Sequence, residues 1–309
     1  MGAQTHGHGH GHGGGHGHTH DGIDWSTRIG FLRREDAVAE EANAGIADRL
    51  VGRLPDQATV VDIGSGAGGQ AAAFARVLAA RGGGRIVLVD AVPELLDAAA
   101  EAVRHALGGG AAAESVTVEQ VCVDAASDEL LRQTPEADLV WASRVVHHLP
   151  DEQGGVRRLA RLVRAGGWLA LAEGGLTTRY LPWDIGIGAP GLQDRLNAAR
   201  DEWFAAMRAE MPDAVRMPYG WGVALAEAGL AEVTSFSVLT DHPAPAGPAV
   251  REAVVEWLTA LSERMDEKLS ESDRDTVKAL LDPAADTYVG ARDDIFLLSA
   301  STVYVGRRA

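Results

Sequence analysis

The chain has 309 residues, 46% of them hydrophobic, enough to bury the core of one sizeable α/β domain with elaborations. Against 28 lysines and arginines stand 44 acids, and the net charge of −16 is the wrong sign for an enzyme that must neutralise nucleic-acid phosphates. One cysteine excludes a disulfide framework, no run reaches about 18 apolar residues, and the N-terminal stretch lacks the build of a signal peptide; the expected location is cytoplasmic, with no membrane partner.

Residues 1–22 are glycine-rich, with His6, His8, His10, His12, His16, His18 and His20 alternating with glycine or threonine. Such a segment cannot bury enough surface to fold, so a disordered tail is expected, one that captures divalent metal only incidentally. From Ile29, apolar residues at Leu32, Ala37, Val38, Ala42, Ile46 and Leu50 recur at helical spacing and predict a leading helix. Val60 and Val61 then open a strand that runs into glycines at 64, 66, 68 and 69, and the stretch 70–80 is helix-prone. A strand, glycine turn and helix start in that order bring backbone N–H groups against a ligand. Gly64, Gly66 and Gly69 satisfy the G-x-G-x-x-G spacing of a dinucleotide site, with Asp90 about 20 residues on. Asp62 argues for a different ligand, because its carboxylate would repel a pyrophosphate and attract a cation.

Residues 85–90 (RIVLVD) read as a second strand ending in Asp90, and 115–125 as a third, with Cys122 an inert core thiol inside it and Asp124 near its end. Residues 138–142 give a fourth strand and 168–173 a fifth; the basic cluster at 157–164 reads as a solvated helix face. The acids fall at carboxyl ends of strands, where open parallel sheets bind ligands. Past Gly174, residues 178–191 read as an irregular loop with aromatics. Leu192, Leu196, Ala199, Trp203, Met207 and Met211 then mark an amphipathic helix. A sixth strand at 232–239, a helix carrying Val250, Val254, Trp257, Leu258, Leu261 and Met265, and a seventh strand at 296–306 complete the order.

The pattern D-x-G-x-G-x-G from Asp62 to Gly68 resembles motif I of the class I S-adenosylmethionine (SAM) methyltransferases. The D-x-V at 138–140 followed by HHLPD at 147–151 is similar to the small-molecule members of that family. The resemblance implies an α/β, Rossmann-like seven-stranded sheet with helices on both faces, a helical cap, and the seventh strand antiparallel beside the fifth. It divides the chain into a tail (1–22), a leading helix and SAM-binding core (23–174), a cap for the substrate (175–222), and a C-terminal part of the core (223–309). It places Asp62, Gly64, Ser65, Gly66 and Gly68 around the cofactor, Asp90 on the ribose hydroxyls beside Ala91, Asp124 and the Ala125 N–H on the adenine, and Ser143 at the end of the fourth strand. Trp25 and Arg28 on the leading helix, with Tyr180, Trp183, Tyr219 and Trp221 around the cap, are the expected substrate residues.

Methyl transfer is a displacement at one carbon, for which the protein chiefly holds the nucleophile in line. An oxygen or nitrogen acceptor also loses a proton, which His147 or His148 can take, with Glu173 as the next candidate base. The expected function is therefore transfer of a methyl group from SAM to an O, N or C atom of a small organic molecule, in specialised metabolism. Two other readings stay open: a SAM-fold enzyme with cyclase or lyase chemistry, and a non-catalytic SAM- or metal-binding accessory protein.

Overall fold

Five consecutive buried residues, Thr-Val-Val-Asp-Ile, make β1 (Thr59–Ile63) the centre of a parallel sheet covered on both faces. The computed structural model describes residues 23–309, so the histidine-rich tail lies outside the described residues. A 3-10 turn at Trp25–Arg28 leads into α1 (Ile29–Val38) and α2 (Glu40–Val51), so the leading helix is two helices broken at Ala39. After β1 come α3 (Gly69–Ala80), β2 (Gly84–Asp90), α4 (Pro93–Leu107), α5 (Ala111–Ser115), β3 (Val116–Cys122), α6 (Glu129–Gln133) and β4 (Ala137–Ser143). A short 3-10 turn at Val146–His148 precedes α7 (Glu152–Leu162) and β5 (Val163–Arg179). The remainder is α8 (Leu192–Glu210), α9 (Trp221–Glu227), β6 (Ala231–His242), α10 (Pro248–Met265), α11 (Glu271–Leu281) and β7 (Leu297–Arg307).

The seven strands lie in the order β3-β2-β1-β4-β5-β7-β6. The first five are parallel, and β7 runs antiparallel between β5 and β6, as the resemblance implies. The order reverses between β1 and β4, and the crevice at their carboxyl ends is where such sheets bind ligands. On one face Ile46, Leu50, Phe74, Leu78, Leu96 and Val103 bring α2, α3 and α4 against the sheet. On the other, Val61, Ile63, Val87 and Val89 meet Val156 and Leu159 of α7 and Leu225 of α9. A third cluster, with Leu192, Leu196, Val254, Leu258, Val277 and Leu280, binds α8, α10 and α11 into a cap. Among the described residues no helix is long and apolar enough to cross a membrane.

Two expectations change. Strand β5 continues to Arg179 rather than stopping at Glu173, because its second half pairs with β7 alone, across irregular register near Gly175. Cys122 is exposed rather than a core thiol. It lies on β3, which ends the sheet with only β2 beside it, so one edge of the strand has no covering neighbour.

Candidate active site

The turn after β1 is tied to the neighbouring strand before any ligand is considered. Gly64 and Ser65 donate their N–H groups to the Val89 carbonyl at 2.7 and 3.1 Å. Asp90, at the tip of β2, accepts from Gly66 N at 3.1 Å through Oδ2 and from Val92 N at 3.0 Å through Oδ1. From the leading helices, Asp36 on α1 accepts from Gly69 N at 3.0 Å, the first residue of α3. A Cβ on Gly69 would lie 2.2 Å from Asp36 Cγ, so this approach needs glycine. Asp124, two residues past β3, accepts from Ala126 N at 2.7 Å.

These groups enclose a cavity of about 550 Å³ along the carboxyl ends of β1, β2 and β4, roofed by Trp25, α1 and α2. Asp62, Gly64, Ser65, Gly66, Asp90, Ala91, Asp124, Ala125 and Ser143 all line it. Gly68 does not; its place is in the backbone turn, where its N–H reaches Ser65 O at 2.9 Å. Burial pushes Asp90 up to about 6 and, against the opposing pull of Arg144, pushes Asp36 up to about 6 as well. Burial, then the charges of Asp36 and Asp90, hold Asp62 well above the usual carboxylate range. Two more lining groups, Ser65 Oγ and Gln70 Oε1, are buried with no hydrogen-bond partner among the described residues. A concave wall of carboxylates raised by burial, with unsatisfied polar atoms beside them, suits a ligand that carries positive charge and hydroxyl groups.

The far wall carries the basic groups. Glu173 is 1% exposed and does not line the cavity. Its Oε1 accepts the backbone N–H groups of Val145 and Val146 at 3.1 and 2.8 Å, and its Oε2 lies 2.6 Å from His147 Nδ1. A carboxylate so engaged makes Nδ1 the donor, which leaves His147 Nε2 as the basic nitrogen on a side chain that lines the cavity. Glu173, which the sequence offered as a second candidate base, therefore meets the cavity through His147 rather than by lining it. Arg144, next to β4, sits at φ +55 and reaches Glu35 of α1 at 3.3 Å, joining this wall to the roof.

His147 and His148 belong to a cluster of rings. The two imidazoles stand 4.1 Å apart, Trp25 meets His148 edge-on at 5.9 Å, and Phe204 of α8 lies 5.6 Å from His147 and 6.3 Å from His148. Arg208, one turn on, donates to the carbonyls of His147 (3.2 Å) and Leu149 and fixes their loop to the cap.

Of the expected substrate residues only Trp25 lines the cavity. Tyr180 is turned into the cap core against Trp257, 5.9 Å away, because Gln193 Oε1 accepts both its N–H and that of Leu181 and fixes the loop. Trp183 points outward and is 71% exposed. Tyr219 donates to Gln153 at 3.0 Å, and it and Trp221 pack beside α7 and α9, on the sheet face away from the roof helices. Arg28 also stays off the lining. The residues missed are Asp36, Gln70, Arg144, Arg200, Phe204 and Arg264. The 200/204/208 spacing on α8 was the one signal available for part of that set.

Residues 61–171 match the model of a methyltransferase domain. A curated relative, the 27-O-demethylrifamycin SV methyltransferase of Amycolatopsis mediterranei (strain S699), is 32% identical over 148 residues, 47% of this chain. The match spans about half (49%) of that relative's length. Among solved structures, YcgJ of Bacillus subtilis is 18% identical with a TM-score of 0.46, over 87% of this chain and 99% of that one. The phosphoethanolamine N-methyltransferase 2 of Haemonchus contortus, bound to S-adenosyl-L-methionine, is 18% identical with a TM-score of 0.43, over 87% of this chain and 52% of that one. The family match covers the stretch from β1 to β5 that supplies the acid-lined wall, and over those residues the chain is similar to methyltransferase domains.

Proposed function

We propose that the protein moves the methyl group of SAM to an oxygen or nitrogen atom of a small organic molecule, with His147 as general base. The observation that carries this reading is the meeting, in one cavity, of the acid-lined strand ends with the His147–Glu173 pair. SAM supplies an electrophilic methyl carbon on a sulfonium. The chain's residues fit it: Asp62 and Asp36 offer negative charge to its cationic groups, and Asp90 offers acceptor capacity to the ribose hydroxyls. Asp124 and Ala125 flank the place for the adenine, and Ser65 Oγ and Gln70 Oε1 await partners of their own.

On the acceptor side, Trp25 and His148, with Phe204 packed against the imidazoles, exclude water and hold the acceptor flat, while His147 Nε2 takes its proton. Glu173 keeps the imidazole in one tautomer and stabilises it once protonated, the part a buried carboxylate plays behind a catalytic histidine elsewhere. The name of the rifamycin relative supports an acceptor from specialised metabolism.

Incubating the protein with SAM, alone and with a panel of hydroxylated and aminated aromatic compounds, tests the proposal by product mass. A methylated product with one S-adenosylhomocysteine per turnover is expected. SAM breakdown without any acceptor would instead indicate lyase chemistry, and tight SAM binding with no turnover across the panel would indicate an accessory protein.

A further inference from the structure

Gln70, in the first turn of α3, is 9% exposed and lines the cavity. Its Nε2 donates to the Asn43 carbonyl of α2 at 3.1 Å. That bond fixes the amide, because the opposite orientation would set oxygen against oxygen. Oε1 is thereby left buried with no hydrogen-bond partner among the described residues. A buried acceptor without a partner costs free energy that a donor on a ligand recovers.

The surroundings say what kind of donor. Gly69, just before Gln70, gives its N–H to Asp36 Oδ2, so Asp36 and Gln70 stand at the same helix end, and both line the cavity. At or just past the carboxyl ends of β3, β2, β1 and β4 come Asp124, Asp90, Asp62 and Arg144, in that spatial order. Asp36 feels the charges of Arg144 and Glu35 and itself bears on Asp62, which sets the Asp36–Gln70 corner toward β1 and β4. With the adenine at Asp124 and the ribose at Asp90, that corner is left to the amino-acid end of SAM. An acceptor set beside a carboxylate suits a donor that is positively charged.

Resting on the methyl-transfer reading, we propose that Gln70 is the residue by which the chain recognises the α-ammonium group of SAM. Its Oε1 accepts one ammonium N–H, Asp36 answers the charge, and the Asn43 carbonyl holds the amide in the accepting orientation. Gln70 thus selects an adenosyl ligand that carries the amine over one that lacks it.

The test is calorimetry on the full-length protein with S-adenosylhomocysteine, with its desamino analogue, which has hydrogen in place of the ammonium, and with 5′-methylthioadenosine, which lacks the whole amino-acid end. The wild type is expected to bind S-adenosylhomocysteine about tenfold or more tightly than the desamino analogue, the range for hydrogen bonds to a charged group. Gln70→Met, close in length but without the amide oxygen, should shrink that ratio several-fold and leave the affinity for the other two ligands unchanged. Gln70→Glu, which keeps an acceptor oxygen, should retain the preference. Equal wild-type affinity for S-adenosylhomocysteine and its desamino analogue would overturn the inference. So would a ratio that survives Gln70→Met, a preference lost in Gln70→Glu, or a loss shared equally by all three ligands, the mark of a merely structural role. Failure of S-adenosylhomocysteine to bind the wild type would overturn the methyl-transfer reading instead, so the two failures are separable.

Discussion

Glu173 spends both carboxylate oxygens inside the protein, one on two backbone amides and one on His147. Its buried position makes it a holder of the imidazole. His147→Ala should therefore lower turnover by about 10²–10⁴-fold with SAM affinity nearly unchanged, the range for a lost acid–base group. Glu173→Gln should lower turnover as well, because the amide supports the protonated imidazole poorly, again with little change in SAM affinity. The wild-type rate should fall in acid, where the imidazole is protonated, and His147→Ala should lose that dependence. His148→Ala should instead lower the melting temperature through its lost contacts with Trp25 and Phe204, and keep the pH profile. Rates against pH for the three variants, with melting curves, check these outcomes. Near-normal turnover in His147→Ala would remove the base from the account.

At the scale of elements, α1 approaches the start of α3 only because Gly69 leaves room for Asp36. Gly69→Ala should force the two apart and destabilise by roughly 1–3 kcal/mol, as overpacking does. The same change in an Asp36→Ala background should cost clearly less, since the clashing carboxylate is gone. Equal costs in both backgrounds, measured by denaturant titration, would show that the contact carries no energy. The same elements show what the sequence could and could not reveal. Strands β1 and β2 were legible because each is an apolar run that meets a glycine or an acid, and Asp62 and Asp90 landed in the cavity. The rings were not. Tyr180, Trp183, Tyr219 and Trp221 are near the cap in sequence, but the side they face depends on how the cap docks, which no local spacing encodes. Phe204 reaches the histidines because the third apolar cluster turns α8 that way. Asp36 lay hidden among the charges of α1, where nothing local separates it from Glu35.

Across the whole molecule, three carboxylates raised by burial, Asp36, Asp62 and Asp90, come together in the one cavity. Asp36 and Asp90 are pushed from 3.8 up to about 6 by burial, and Asp62 shifts in the same direction. For acids raised in the native state, the stability they contribute is present at low pH and is lost as pH rises from about 4 through about 6. From this source the ligand-free protein should melt higher at about pH 5 than at about pH 7.5, and Asp90→Asn should flatten the difference. The gain in melting temperature on adding SAM should be larger at the higher pH, where the carboxylates carry the charge that SAM answers. An identical pH slope in Asp90→Asn would contradict that origin. The central claim is that the acids at the strand ends form the SAM site, and isothermal calorimetry of SAM with wild type and with folded Asp90→Ala tests it most directly. The account predicts binding by the wild type weakened about ten- to a hundredfold in the variant, the range for lost hydrogen bonds to a charged acceptor. Unchanged affinity in the variant, or tighter binding of NAD than of SAM by the wild type, would contradict it.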